Sequence, residues 1–346
     1  MFKPVTIKDI AKALGLSPST VSRALRDGYE ISPETKRIVK EYADKIDYRS
    51  NPIALSLKGR RSYSIGVVVC EVANSFFSQA INGIESIAYN KGYRVIISQS
   101  HDLYEREVIN TKHLANSSVD GLLISMAAET TDFSHLSSLH ENGLPIVFFD
   151  RVIDQIQTHK VIVNNFSSAF EATELLIKRG HSRIAHLASA PHLSITTERM
   201  DGYTAALNKH SIAFNPEYVQ YCPHGGRIYG EVEDAVKKLL SLPDSADAIF
   251  VSSDRLSIGC LRALKKFHLN PEDMPVAGFS NSDVVELLKP TLSYVRQPAF
   301  EMGRIATELL IGLIEAKYPV TEFETKVLDT ELFLNDGPLA TGSKSV

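Results

Sequence analysis

The sequence predicts an all-α helix-turn-helix head followed by an α/β body of two parallel-sheet lobes. Three observations lead there. The first sixty residues carry cap residues and apolar spacings suited to short helices. The remainder alternates apolar, β-branched runs with helical stretches, and does so twice. Charge divides at the same place: residues 1–61 hold 13 Lys and Arg against 7 Asp and Glu, while the rest holds 24 against 34. A small basic segment therefore precedes a larger acidic body, which is either chance solvated charge or the mark of a module that meets a polyanion; charge alone does not decide between them.

The first helix is expected over 7–14. Thr6 is its N-cap, with Asp9 in its first turn, and Ile7, Ile10, Ala11 and Leu14 share one face. Gly15 ends it, as a left-handed C-terminal residue does. Ser17 caps a second helix, and Pro18 occupies its first position, where no N–H is missed. Val21, Ala24 and Leu25 face inward, leaving Ser19, Ser22, Arg23 and Arg26 outward. Two short helices joined by three residues cross closely, the arrangement that lays the second in a DNA major groove. Ser32-Pro33 starts a third helix, whose Ile38, Tyr42 and Ile46 are expected to close the core. Residues 51–59, from Asn51 to Gly59, span about two turns, too short for a stable helix alone. They form either a linker with helical bias or a segment that folds on a partner.

Three blocks carry a family resemblance: Val5-Thr6-Ile7-Lys8-Asp9-Ile10-Ala11, Leu16-Ser17-Pro18-Ser19-Thr20-Val21-Ser22-Arg23-Ala24-Leu25 and Ala54-Leu55-Ser56-Leu57-Lys58. In order and spacing they resemble the lac repressor/galactose repressor (LacI/GalR) family of bacterial transcriptional regulators, and the likeness runs through nearly the whole chain. The resemblance implies a DNA-binding face of Thr6, Ser17, Pro18, Ser19, Thr20, Ser22, Arg23 and Arg26. It further implies a hinge helix in which Leu57 wedges into the minor groove, with Ala54 and Lys58 beside it. Arg23 is the best guanine donor, since its fork matches O6 and N7. Pro18 departs from relatives with a polar or aromatic group there and leaves an apolar contact, with a thymine methyl.

In the body, strands are expected at 65–70, 93–98, 121–125 and 145–150, and again at 184–189, 218–221, 248–252 and 275–279. The two series are offset by 119 to 130 residues, so one unit of architecture occurs twice. Helices fit 77–90, 105–116, 168–179, 199–210, 231–241, 256–267 and 299–316. Parallel sheets covered on both faces follow, with a cleft between the halves. The resemblance implies a bilobed, periplasmic-binding-protein-like body whose chain crosses between lobes near 161–165 and 292–297. The domains expected are a head at 1–49, a hinge helix and linker at 50–61, an effector-binding and dimerisation body at 62–337, and a flexible tail at 338–346. Lobe one is expected at 62–161 with 293–322, and lobe two at 162–292 with 323–337.

Ligands in such sheets lie outside the carboxyl ends of strands. By that rule the cleft candidates are Asn74, Phe76 and Phe77; Ser125; Asp150 and Arg151; Ser253 and Asp254; and Ser280 with Asn281. Carboxylates, amides and Arg suit a polyhydroxy ligand, and a ring packs on its apolar face. The resemblance carries over Asn74, Phe76, Phe77, Asp150, Arg151, Arg199 and Gln297. Asp254 either caps a helix or meets ligand; Phe77 is either core or ligand-facing; Asp150 and Arg151 form either an ion pair or a ligand clamp. Sugar binders often carry Asn where Ser253 stands and Asp where Ser280 stands. These two departures point toward a bulkier or differently charged ligand than a simple hexose or pentose, or toward control by something else.

No GxSxG, Walker A or HExxH motif is present, and no metal-ligand spacing among eleven scattered histidines, so no enzyme, cofactor or metal is expected. There is no apolar run of membrane length, and the first residues carry charges where a signal peptide needs an apolar stretch. Three well-separated cysteines fit a reducing cytoplasm. The last twelve residues lack leucine heptads, which favours a homodimer over a coiled-coil tetramer. The function expected is that of a sequence-specific repressor on a pseudo-palindromic double-stranded DNA operator. A sugar or sugar derivative in the cleft would control it by setting whether the marginal hinge folds. The alternatives are control by a phosphocarrier protein, as in the catabolite-control branch, and a small-molecule-binding module that never meets DNA.

Overall fold

The computed structural model describes residues 6–46, 48, 61–269, 273–287 and 292–334. They divide into two compact units, the head to Ser62 and the body from Tyr63.

In the head, α1 (Ile7–Leu14), α2 (Pro18–Leu25) and α3 (Pro33–Lys45) enclose a small core of Ile10, Ala11, Val21, Ala24, Val39 and Ala43. The caps explain the boundaries. Thr6 and Asp9 form a reciprocal capping box on α1. Gly15 has φ +66°, the left-handed conformation that stops the helix and turns the chain into α2. Ser17 and Ser32 accept the amides of Thr20 and Thr35, each followed by a first-turn proline. One expectation fails: Ile38 is 40% exposed, and Val39 and Ala43 occupy the core in its place, flanked by Tyr42 and Ile46. The small pair lets α3 approach α1 and α2 more closely than Ile38 would.

The body contains two six-stranded sheets. Strands β1 (Ser64–Val69), β2 (Arg94–Gln99), β3 (Gly121–Ile124), β4 (Ile146–Phe149), β5 (Lys160–Val163) and β11 (Thr325–Leu328) form the first, in order β11-β5-β4-β3-β1-β2, all parallel. The second contains β6 (Ile184–Ala188), β7 (Val219–Tyr221), β8 (Ala248–Val251), β9 (Val276–Phe279), β10 (Ser293–Arg296) and β12 (Glu331–Phe333), in order β12-β10-β9-β8-β6-β7. Among the described residues, only the β10–β12 pair is antiparallel. Strand alternation distributes each sheet's apolar residues to both faces. Val67 and Val69 join one core cluster, for instance, and Val68 another.

The lobes are not divided as the sequence suggested. Strand β10 belongs to the second sheet and β11 to the first, the reverse of the expected assignment. The chain therefore crosses three times: after β5, after β10, and between β11 and β12. The first and third crossings are tied together, since Asn164 N donates to Leu328 O at 3.0 Å and the Ser168 and Thr330 hydroxyls meet at 2.7 Å.

Helices α4 (Ser75–Asn90) and α11 (Ala299–Glu315) cover one face of the first sheet, and α5 (Tyr104–Asn116) and α6 (Ser134–Glu141) cover the other. On the second sheet, α7 (Asn165–Lys178) and α8 (Ser194–Lys209) lie opposite α9 (Tyr229–Leu240) and α10 (Asp254–Lys266). Backbones meet where α4 crosses α11. A Cβ on Gly83 would fall 1.9 Å from Phe300 O, and one on Gly303 2.0 Å from Ala80 O.

His186 lies within β6 with no exposed surface, stacked on both Tyr203 (5.1 Å) and Phe250 (4.7 Å), whose rings also stack on each other at 6.4 Å. Burial draws its pKa down to about 4. The unfolded ring protonates near pH 6.5 and the folded one does not until about pH 4. The neutral ring thus favours the fold above pH 6.5, and this contribution is lost as pH falls through the interval between the two values. The loss is on the order of 3 kcal/mol. His186→Phe keeps the ring stack and is expected to flatten the decline in melting temperature between pH 7 and pH 4.5. An unchanged decline would assign the acid sensitivity elsewhere.

Candidate nucleic-acid interface and interlobe site

The outward side of α2 is open. Ser17, Pro18, Ser19, Arg23 and Arg26 are exposed, and Thr20 and Ser22 half-buried. Ser17 Oγ meets the hydroxyls of Ser19 at 2.7 Å and Thr20 at 2.8 Å, so the cap also orders the start of the helix. Thr6 is exposed but engaged with Asp9 at 2.7 Å. Arg23 Nη1 donates to Glu30 Oε2 at 2.7 Å, a partner that the sequence reading missed. Ala54, Leu57 and Lys58 lie outside the described residues.

In each sheet the strand order reverses at the first strand of its lobe, β1 and β6, and the ends of these strands and their neighbours supply the interlobe site. Asp150 closes β4 with φ +61°, a left-handed conformation that is strained for a residue with a side chain. It is buried, and burial raises its pKa against the pull of Arg151, Arg199, Ser125 and Gln297. Ser125 Oγ donates to it at 3.3 Å. Gln297 stands beside the carboxylate without reaching hydrogen-bond geometry.

Arg199 is 2% exposed. Its Nε donates to Asn165 Oδ1 at 2.9 Å, its Nη1 donates to Ser252 O, and its guanidinium lies 3.7 Å over the Phe279 ring. Burial lowers its pKa to about 10, opposed by Asp150 and Glu198. Arg199 Nη2, Gln297 Nε2 and Ser252 Oγ are buried and have no partner. Buried polar groups are rarely left without a partner.

Other candidates are already committed. Asn74 Oδ1 caps α4 by accepting from Phe76 N and Phe77 N, while its Nδ2 donates to Asp254 at 3.4 Å. Phe76 and Phe77 lie in the core under β1. Arg151 Nη1 pairs with Asp102, not with Asp150, and also donates to Met126 O. Ser253 is the cap of α10, accepting from Leu256 N, so Asp254 is the first residue inside that helix. Asp254 accepts from Ser280 Oγ at 2.5 Å, and burial raises its pKa against that bond and the Asn281 amide. Asn281 bonds Gln297 O at 2.7 Å and Gln79 Oε1 at 2.9 Å. Glu71 with Arg255, Asn74 with Asp254, and Gln79 with Asn281 thus bridge the two lobes along one rim. The signal for these roles lay in partners up to 202 residues away. Among the described residues no group of His, Cys, Asp and Glu could hold a metal ion, and no helix is long and apolar enough to cross a membrane.

A basic helix-turn-helix head and a two-lobed body with a polar interlobe site define a DNA-binding transcriptional regulator with a periplasmic-binding-protein-like domain. Known proteins agree. Bacterial regulatory proteins of the lacI family match residues 6–51, and the periplasmic binding protein-like domain matches residues 173–332. The HTH-type transcriptional repressor PurR of Vibrio atlanticus (strain LGP32) is 30% identical over 318 residues, covering 90% of this chain and 92% of the relative. A LacI family transcriptional regulator from Enterococcus faecium, solved with bound ribose, has a TM-score of 0.68 and 26% identity, covering 79% of this chain and 98% of that one. The lac repressor dimer bound to operator shares the fold at a TM-score of 0.77 and 23% identity, covering 98% of this chain and all of that one. The chain belongs to the lacI family of bacterial regulatory proteins. It is a DNA-binding transcriptional repressor and not an enzyme.

Proposed function

We propose that this repressor binds a pseudo-palindromic operator as a homodimer in the cytoplasm, with α2 of each protomer in successive major grooves, and that a small sugar-like effector between the lobes sets its grip. The observation that carries the effector is the set of unpartnered buried groups: Arg199 Nη2 and Gln297 Nε2, whose side chains act on the Asp150 carboxylate, and Ser252 Oγ, whose own carbonyl accepts from Arg199. Two donors and a hydroxyl beside a carboxylate suit a ligand whose own hydroxyls both accept and donate. A ribose-bound relative supports the same class. Support for a second copy comes from the first lobe's free edge, where Tyr89, Ile96, Ile97 and Ile109 are exposed. The working parts are a head to about residue 49, a hinge at 50–61, a body at 62–337 and a tail beyond.

Effector coupling of ~1–3 kcal/mol would change operator affinity between about fivefold and more than a hundredfold. The test is selection of bound sequences from random DNA with the full chain, followed by titration of the selected duplex with ribose and a panel of neutral sugars. A two-fold-symmetric site whose affinity responds to one of them is expected; selection without symmetry, or indifference to every sugar, would overturn the corresponding half. Arg23→Ala is expected to lose roughly 1–3 kcal/mol on the selected duplex and little on random DNA. Equal losses would make Arg23 a phosphate contact.

A further inference from the structure

Glu30 carries a negative charge on the side of the head where Arg23 projects. Asp9 is taken up by capping α1, and the other acidic ion pairs of the head among the described residues are with cations of α3: Asp27 faces Lys36 at 3.1 Å and Lys40 at 3.9 Å, and Glu34 and Glu41 flank Arg37 at 2.7 and 3.0 Å. Glu30 instead holds Arg23, with both side chains substantially exposed, at 60% for Arg23 and 46% for Glu30. An exposed pair of this kind adds little to folding stability. Near DNA, a carboxylate repels phosphates and weakens the sequence-independent part of binding. A carboxylate at this position therefore opposes binding unless it meets a donor, and in the major groove the donors are base amino groups.

We propose that Glu30 is a specificity-determining residue that reads one G·C pair jointly with Arg23. This rests on the reading of α2 as the groove-facing helix. The major-groove edge of a G·C pair presents guanine N7 and O6 as acceptors and then the cytosine N4 amino group as donor. A guanidinium has five N–H donors. One of Arg23's is given to Glu30 Oε2, which leaves enough for N7 and O6. Glu30 Oε1 meets no partner among the described residues and is the acceptor for N4–H. The pair thus presents donors and an acceptor in the order in which the base pair presents acceptors and a donor. The same ion pair restrains Arg23 from settling on a phosphate, so Glu30 improves discrimination in two ways: it adds a contact on the correct pair and weakens the wrong complexes.

The experiment uses the full-length protein and a duplex selected from random DNA. The pair whose replacement by A·T is tolerated equally by Arg23→Ala marks the position that Arg23 reads. Cytosine at that position is then replaced by N4-methylcytosine in both half-sites, which keeps base pairing and puts a methyl where the groove-side N–H was. Fluorescence anisotropy is expected to show about tenfold weaker binding of the methylated duplex by the wild type, and less than about twofold by Glu30→Ala. Glu30→Ala is also expected to bind random DNA about two- to threefold more tightly at the same salt. Equal sensitivity of the two proteins to the methyl group, or an equal gain by Glu30→Ala on selected and random DNA, would overturn the proposal and leave Glu30 a general charge effect. Failure of the wild type to select any sequence would instead remove the groove-reading assignment of α2 itself. Circular dichroism of Glu30→Ala, expected to be unchanged for so exposed a side chain, confirms that the comparison is between folded proteins.

Discussion

Arg199→Ala is expected to lose about 3–5 kcal/mol of stability and with it every response to effector. The guanidinium is buried, with its bonded partners in the second lobe and the Asp150 carboxylate of the first acting on it through its charge. It satisfies Asn165 Oδ1 and the Ser252 carbonyl, lies on the Phe279 ring, and offsets the buried Asp150 charge. Truncation strands all of these at once, and each stranded buried acceptor costs about 1–3 kcal/mol. Arg199→Lys separates the two roles. Lysine restores a positive charge but not the planar fork, so most of the stability is expected to return while the effector response does not. Chemical denaturation and sugar titration of the three proteins provide the check. Wild-type effector affinity in Arg199→Ala would remove the arginine from the binding site, whatever its effect on folding.

Gly83→Ala is expected to be as damaging by a different route. The added Cβ would lie 1.9 Å from a main-chain oxygen of α11, which cannot swing aside as a side chain can. The helices must separate, and Ala80, Ile84, Met302 and Ala306, buried around the crossing, lose their packing. We expect a loss at or above the ~3 kcal/mol upper end of ordinary overpacking. Gly312, on α11, is the internal control: nothing lies within 4 Å of its added Cβ, so Gly312→Ala is expected to be neutral or to stabilise by up to about 1 kcal/mol. Melting curves of the two variants should move in different directions or differ severalfold in size. Similar small shifts would mean that the crossing has more room than its backbone contacts indicate.

What could be read in the sequence follows the range of the forces involved. Caps act over three residues, so Ser17-Pro18 and Ser32-Pro33 place α2 and α3 directly. The Ile38 expectation failed because adjacent helical stripes, 38-42-46 and 39-43, both look apolar, and only docking chooses between them. Strands β10, β11 and β12 are three or four residues long, and β11 is mostly exposed, so no pattern announced which sheet each would join. At the interlobe site, the strand ends named the right neighbourhood, but not who binds whom. Asn74 is taken up by capping, and Arg151 by Asp102, a partner 49 residues away. The unpartnered atoms of Arg199, Gln297 and Ser252 emerge only once every local bond has been assigned.

The three chain crossings restrict how the lobes move. A single tether would let one lobe swivel and slide over the other; three short strands of chain, two of them bonded to each other, permit little besides bending about the line that runs through them. Opening the rim at Asn74 and Asp254 is then one angular coordinate, like the cover of a book stitched at its spine. An effector of the kind proposed above would then act by selecting an angle.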